Sequence, residues 1–175
     1  EFVTDCSDLD HIIVFRKDGV MLVTKVADKS FVGKDIIHVA VFKKNDDRTT
    51  YNMMYMDGTT GIVYAKRFNV TGITRDKEYD LTKGNKGSKV MYLTANPNGE
   101  AEVVSVTLSP GSTARNKVFD FYFEELAIKG RGSGGNQVTK YPVRQVKFKE
   151  HGKSTLEAPK IYYDEQVGKL NTDGY

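Results

Sequence analysis

Strand–turn–strand units recur along this sequence at a nearly constant spacing. Residues 11–26, HIIVFRKDGVMLVTKV, form two apolar runs joined by a polar turn that ends in Gly19, and glycine adopts the positive φ that tight hairpins require. The same pattern returns in YNMMYMDGTTGIVYAKRF, which turns at Gly58, and in KVMYLTANPNGEAEVVSVTL, which turns at Gly99. The three turn glycines are 39 and then 41 positions apart.

This spacing predicts an all-β fold built of blades, since one small sheet cannot bury its own faces and stacks on its neighbours. Residues 118–128 and 141–157 are predicted to be strands of a fourth unit that turns at His151 and Gly152. The interval there grows to 53 residues, which predicts an inserted loop of about a dozen residues. Residues 161–170, IYYDEQVGKL, are expected to form a closing strand pair. We expect about four blades, with a β-sandwich as the structural alternative.

Composition and length favour one globular domain. The chain has 175 residues, of which 39% are hydrophobic and 28% charged, so disorder and a membrane span are both disfavoured. The single Cys6 forbids an internal disulfide, which agrees with a reducing cytoplasm. Because the sequence opens on Glu1 and an acidic stretch, we interpret residues 1–175 as a single domain taken from a longer chain.

Positive charge is concentrated in one part of the sequence. The formal net charge is only +3, yet residues 129–153 contain seven basic residues and one acidic residue. Four glycines, at positions 130, 132, 134 and 135, lie in the same stretch. Glycine backbone can approach a phosphate closely and direct N–H groups at it, while Lys and Arg neutralise its charge. The stretch therefore predicts either a phosphate-binding loop or a mobile surface loop beside a solvated strand.

The strand predicted after this loop alternates in polarity. Gln145, Lys147 and Lys149 alternate with Val146 and Phe148, so a strand here would expose cations on one face and cover apolar residues with the other. Proline lacks the N–H that an interior strand needs. Pro142 therefore places this strand at a sheet edge or at a bulge.

Two stretches resemble one protein family. KGRGSGGNQVTKYPV, preceded by FDFYFEELAI, resembles the C-terminal domain of the A subunit of bacterial type IIA topoisomerases, closest to topoisomerase IV or gyrase-like A subunits of the Bacteroides kind. HIIVFRKDGVMLVTKV followed by FVGKDIIHVAVF resembles the repeat unit of that domain, a hairpin followed by a glycine and by Asp with two apolar residues. The resemblance extends from Asp10 to Lys149.

This resemblance implies a β-pinwheel, a propeller-like disc or spiral whose blades exchange strands. Well-known members have five or six blades, so four blades would represent a truncated or a shorter form. Gyrase subunits also carry a box of the form QRRGGKG. Residues 130–136, GRGSGGN, keep Arg131, Gly134 and Gly135 but lack the leading Gln, the second Arg and the final Lys. The degenerate box favours topoisomerase IV over a supercoiling gyrase.

The implied function is a non-catalytic domain that binds duplex DNA on a basic rim. It would bend or wrap the DNA to steer strand passage and set topological preference. Its implied partners are duplex DNA, the rest of the A subunit and the ATPase B subunit of a heterotetramer in the cytoplasm, associated with the nucleoid and not with a membrane. No cofactor is expected in this domain, because ATP and Mg would be used elsewhere in the parent isomerase.

The expected site is a set of basic residues and loop glycines. Its members are Lys129, Arg131, Gly132, Gly134, Gly135, Lys140, Arg144, Lys147, Lys149, Lys66, Arg67, Lys83, Lys86 and Lys89. We expect no catalytic or metal-binding residue: no Tyr follows an Arg, as the family's DNA-cleaving tyrosine does, and the three His show no metal-ligand spacing. The alternative functions are a propeller-type protein-interaction module and a propeller enzyme with paired carboxylates.

Overall fold

The chain folds into strands and one short 3-10 helix in the part that the structure describes. The computed structural model describes residues 2, 4–5, 10–26 and 32–152, together with the backbone of two strands at 160–164 and 169–173. Cys6 lies outside these residues. The elements are β1 (His11–Arg16), β2 (Val20–Lys25), β3 (Ile36–Phe42), β4 (Thr50–Met56), β5 (Val63–Asn69), β6 (Tyr79–Asp80), β7 (Lys89–Asn96), β8 (Val103–Leu108), β9 (Val118–Tyr122), the 3-10 helix η1 (Phe123–Glu125), β10 (Ile128–Gly130), β11 (Asn136–Thr139), β12 (Val143–Glu150), β13 (Lys160–Asp164) and β14 (Lys169–Asp173).

These strands form three repeat sheets and one separate strand pair. The first sheet has the order β3-β1-β2-β6. The second has the order β10-β5-β4-β7, and β11 shares with β10 the outer edge of β5. The third has the order β12-β8-β9, and β13 pairs with β14. The all-β, propeller-like fold class is therefore confirmed.

A strand passes from each repeat unit to the sheet before it. Strand β6 follows the second hairpin in the sequence but pairs with β2 of the first sheet. In the same way, β10 and β11 follow the third hairpin but pair with β5 of the second sheet. This is the strand exchange between blades that the resemblance implied.

Two apolar cores separate the three sheets. The first core contains Phe15, Met53 and Tyr55, and the second contains Met54 and Phe123. Strand β4 contributes to both cores, because successive side chains of a strand point to opposite faces. Six of its seven residues are buried. The second sheet is thus covered on both faces, and its strands β4 and β5 form the centre of the described structure.

The first two predicted hairpins are confirmed. Strand β1 pairs with β2 and β4 pairs with β5, both antiparallel. The predicted hairpin at Asn98 and Gly99 is wrong, because β7 pairs with β4 whereas β8 pairs with β9 and β12. Gly99 has a φ of 65° and lies in the connection between two sheets. The third hairpin is β8–β9, and residues 109–117 form its turn.

The strands predicted as a fourth unit belong to the third sheet. Strands β9 and β12 lie on either side of β8, so the predicted turn at His151 and Gly152 does not join strands of that sheet. Residues 153–157 of this prediction lie outside the described residues. The closing strand pair is confirmed as β13–β14. Strand β12 begins directly after Pro142 at a sheet edge with an irregular register, as the proline predicted.

Candidate nucleic-acid interface

The inserted glycine stretch is a folded part of the second sheet. Strand β10 runs parallel to the end of β5, with Gly130 opposite Asn69. Strand β11 returns antiparallel to the start of β5, with Asn136 opposite Ala65. Residues 131–135, called the glycine loop below, connect these two strands. The loop is therefore held at both ends by backbone pairing, and the alternative of a mobile surface loop is not supported.

Lys66 on β5 holds this loop from inside the protein. Its Nζ donates hydrogen bonds of 2.7 Å to each of three backbone carbonyl oxygens, those of Leu81, Arg131 and Ser133. The side chain is only 3% exposed. Burial lowers the pKa of Lys66 to about 8, and the nearby Asp80 carboxylate opposes this shift. All three N–H groups of the ammonium are used within the chain.

Two further contacts fix the loop. The Tyr55 hydroxyl donates to the carbonyl oxygen of Gly134. Gly135 has a φ of 85°, and a Cβ there would lie 2.7 Å from the carbonyl oxygen of Ala65. Only glycine combines that backbone conformation with such a close approach. Gly132 has ordinary φ, and nothing lies within 4 Å of a Cβ built on it, so this position faces open space.

Arg131 and Lys83 border the loop on its outer side. The Arg131 guanidinium carbon lies 4.1 Å from the centre of the Tyr79 ring, and its Nη2 donates to the Gly72 carbonyl oxygen at 3.4 Å. Lys83 Nζ lies 4.2 Å above the Tyr64 ring. A Cβ on Gly134 would lie 3.3 Å from Lys83 Cε, so the glycine loop meets residues 83–89, KGNKGSK, a second basic segment that contains glycines. Stacking on an aromatic face orients a cation while leaving it able to attract an anion.

Arg67 is the second buried cation of β5, on the opposite face from Lys66. Its guanidinium donates to the Asn52 side-chain oxygen and to the carbonyl oxygens of Leu126 and Gly99. Asn52 in turn donates to the Glu102 carboxylate at 3.2 Å. Burial lowers the pKa of Arg67. This network joins the second sheet to the third.

The sequence prediction that Lys66 and Arg67 contact DNA is therefore corrected. Both lie on a strand that is covered on each face, and they are 3% and 4% exposed. Their donors are directed to groups inside the chain. Neither is available to a phosphate at the surface.

The edge strand β12 carries exposed cations as its alternation predicted. Val146 packs against the second core, whereas Lys147 and Lys149 are exposed. The prediction that the apolar face is covered is wrong for Phe148, which is 46% exposed. Lys147 lies opposite Ser105 of β8, which lies opposite Asp120 of β9. The Lys149 ammonium forms an ion pair with Asp120, and that hydrogen bond raises the pKa of Lys149. Lys149 is thus partly neutralised, and Lys147 has no ion pair within the described residues.

Six of the remaining predicted cations form two groups on different sheet edges. The loop group is Lys83, Lys129 and Arg131, around the glycine loop at the β5 edge of the second sheet. The strand group is Arg144, Lys147 and Lys149 on β12. Strand β12 occupies in the third sheet the position that β7 occupies in the second, which is the edge opposite to that of β10.

Three predicted lysines lie outside these groups. Lys140 is exposed between β11 and β12, Lys89 is exposed at the start of β7, and Lys86 is exposed in the turn before it. The sequence prediction missed Tyr79, Tyr64 and Asp120, which hold or neutralise predicted cations. Each of these partners is between 19 and 52 positions away from its cation along the chain. Local sequence carries no sign of such contacts.

Comparison with known proteins decides the family. The sequence model of the topoisomerase C-terminal domain of Bacteroidota matches residues 1–151. The chain belongs to this family. It is also 25% identical over 154 residues to the A subunit of DNA topoisomerase 4 from Borreliella burgdorferi, an alignment that covers 85% of the chain and 22% of that relative. The chain therefore spans about a fifth of the relative's length, and the resemblance drawn from the sequence is confirmed at the level of the family.

No helix in the part of the chain that the structure describes is long and apolar enough to cross a membrane.

Proposed function

We propose that this chain is the DNA-binding domain of a type IIA topoisomerase A subunit and that duplex DNA bends or wraps against its exposed cations. The domain itself carries out no chemistry. It steers the duplex for strand passage by the rest of the A subunit and the ATPase B subunit, inside the cytoplasm and at the nucleoid. ATP and Mg act elsewhere in that assembly.

The observation that carries this proposal is the exposure of the basic segment within a topoisomerase domain. Between β10 and β12 the chain carries six basic residues, at positions 129, 131, 140, 144, 147 and 149, and all are exposed or partly exposed. Exposed Lys and Arg bind the phosphate backbone by displacing its counterions, so binding is steeply dependent on salt and nearly independent of sequence. Any selectivity would come from DNA curvature.

The test is duplex binding by the 175-residue chain across a salt series. A loop variant combines Lys129→Ala with Arg131→Ala, and a strand variant combines Arg144→Ala with Lys147→Ala. Each is expected to reduce the slope of log affinity against log salt by about 2, because each removes two phosphate contacts. The matched control is Lys43→Ala with Lys44→Ala, which removes the same charge from exposed positions after β3.

Three outcomes distinguish the possibilities. Loss of slope in both variants but not in the control supports one duplex that contacts both edges. Loss in one variant alone assigns the duplex to that edge. Weak binding that is insensitive to salt and equal in all variants would contradict the proposal and favour a protein-interaction module.

Wrapping and bending are separated by a second measurement. A nicked circle bound by the domain is religated, and its linking number is compared with that of free DNA. An unchanged linking number is expected, because the degenerate box GRGSGGN favours a topoisomerase IV type over a supercoiling gyrase. A shift of linking number that grows with bound protein would instead indicate wrapping.

A further inference from the structure

We propose that Lys66 is a positioning residue for DNA binding, whose buried ammonium turns the peptide groups of the glycine loop so that their N–H groups face an incoming phosphate. Lys66 touches no DNA and acts through the loop. This inference rests on the function proposed above. It states that a buried lysine sets the orientation of a binding site at the surface.

The hydrogen bonds of Lys66 set the orientation of two peptide groups in the loop. Lys66 Nζ holds the carbonyl oxygens of Arg131 and Ser133 toward the interior at 2.7 Å. In a trans peptide the N–H points away from the C=O of the same peptide group, and the described chain contains no cis peptide. The N–H groups of Gly132 and Gly134 therefore point away from Lys66, toward the outer side of the loop.

The outer side of the loop is open at Gly132 and carries a guanidinium beside it. A Cβ built on Gly132 would meet nothing within 4 Å, so the backbone there can be approached closely. The side chain of Arg131 lies beside it, oriented by the Tyr79 ring at 4.1 Å. The Ser133 N–H between them donates to the Gly130 carbonyl oxygen, so the outward donors are the N–H groups of Gly132 and Gly134. Backbone N–H groups that point outward next to a guanidinium form a site of the kind that binds phosphate.

Strand pairing alone does not hold the loop in this conformation. Strands β10 and β11 fix its two ends, but residues 131–135 between them make no strand pairing. Inside the loop, the side-chain hydrogen bonds from the core are those of Lys66 and of the Tyr55 hydroxyl, which donates to the Gly134 carbonyl oxygen. Lys66 also binds the Leu81 carbonyl oxygen, which anchors the loop to the chain that follows β6.

A double-mutant cycle tests whether Lys66 acts at the same phosphate contact as Arg131. Lys66→Met keeps the aliphatic stem and removes the three donors, and it is expected to weaken duplex binding by the folded chain about fivefold to tenfold. Adding Lys66→Met to Arg131→Ala is expected to have less effect than adding it to the unaltered chain, because the loop N–H groups and the Arg131 guanidinium bind the same phosphate. Adding it to Lys147→Ala on β12 serves as the control, and there the two effects are expected to multiply. Effects that multiply in both cycles would overturn the proposal.

A milder pair of variants covers the case in which Lys66→Met does not fold. Tyr55→Phe removes only the hydroxyl bonded to the loop. Tyr51→Phe, on the same strand and in the same core, removes a hydroxyl that makes no bond to the loop in the described structure. Duplex affinity is expected to fall about threefold in Tyr55→Phe and to remain unchanged in Tyr51→Phe. Equal affinities in these two variants would contradict the proposal.

Two readouts separate positioning from stability. The amide signals of Gly132 and Gly134 are expected to shift on addition of duplex. Hydrogen exchange of the Ser133 amide, which donates to the Gly130 carbonyl oxygen, is expected to accelerate at least about tenfold in Lys66→Met while that of β4 does not. Lys66→Cys in a Cys6→Ser background, alkylated to S-aminoethylcysteine while unfolded and then refolded, is expected to restore affinity. A restored ammonium without restored affinity would overturn the proposal. Absence of duplex binding by the unaltered chain would overturn both proposals, whereas binding without coupling would overturn this one alone.

Discussion

Two strands each carry a pair of closely spaced basic residues, and the two pairs differ in exposure. Lys66 and Arg67 on β5 are buried, whereas Lys147 and Lys149 on β12 are exposed. Strand β5 lies inside the second sheet with a core on each face, so its adjacent cations enter two different cores. Strand β12 is an edge strand with one free face, so cations two positions apart both remain exposed. The difference shows that the place of a strand in its sheet, and not the local density of charge, decides which cations a phosphate can reach.

The largest expected difference between the two pairs is in stability. Arg67→Met removes hydrogen bonds to Asn52 and to two backbone carbonyls, and it is expected to lower the free energy of unfolding by about 3 kcal/mol, because buried acceptors are left without donors. Lys147→Met at the surface is expected to change it by less than about 0.5 kcal/mol. Urea unfolding of both variants measures the difference, and equal losses would break the comparison.

The buried lysine also makes stability depend on pH. The pKa of Lys66 is lowered by burial from 10.5 to about 8, so above pH 8 the unfolded chain binds more protons than the folded chain. Stability is therefore expected to rise by about 2 kcal/mol between about pH 8 and 10, and this rise should be absent in Lys66→Met. Above about pH 10 the buried tyrosines lower the stability as pH rises. Burial raises the pKa of Tyr51 to about 12, so the folded chain keeps protons that the unfolded chain loses. Thermal unfolding across this range gives the sign, and a flat profile in the unaltered chain would contradict the lowered pKa of Lys66.

The two faces of the glycine loop are compared by alanine substitution. Gly135→Ala is expected to cost about 1 to 2 kcal/mol, because it combines a positive φ with a close approach to the Ala65 carbonyl oxygen. Gly132→Ala is expected to leave stability within about 0.5 kcal/mol, since its Cβ meets open space. Denaturant unfolding measures both, and a larger loss at Gly132 would show that the loop faces the other way.

The smallest expected effect concerns the ion pair on the exposed side. Asp120→Asn removes the partner of Lys149 and a negative charge near Lys147, so duplex affinity is expected to rise about twofold to threefold at low salt. Asp47→Asn, an exposed position before β4, is the control for net charge. A rise confined to Asp120→Asn places the DNA at β12. An equal rise in both variants would mean that only the net charge matters.

The sequence predicted the hairpins that close with a short turn. Gly19 ends the first of these turns and Asp57 begins the second, and both hairpins form where the alternation of apolar residues indicated. It could not predict the third hairpin. A glycine with positive φ closes a hairpin or redirects the chain between sheets equally well, and Gly99 does the second.

The candidate site was predicted unevenly for a similar reason. Alternation along β12 was enough to predict exposed Lys147 and Lys149. The burial of Lys66 and Arg67 depends on which sheets cover β5, although apolar Val63, Ala65 and Phe68 around them are the sign of a covered strand. The donated strand β6 has two residues and β10 has three, too few to show any periodicity.

The passage of strands from each unit to the sheet before it has a consequence for folding during synthesis. Strand β5 emerges from the ribosome long before β10 and β11, which later pair with its outer edge. Until then the edge of β5 is an unpaired strand, the kind of surface that joins wrong partners. Lys66 meanwhile lacks two of its three acceptors. We expect the second sheet to reach its final stability only when the third hairpin and the strands after it have been made, so that each unit folds together with its successor.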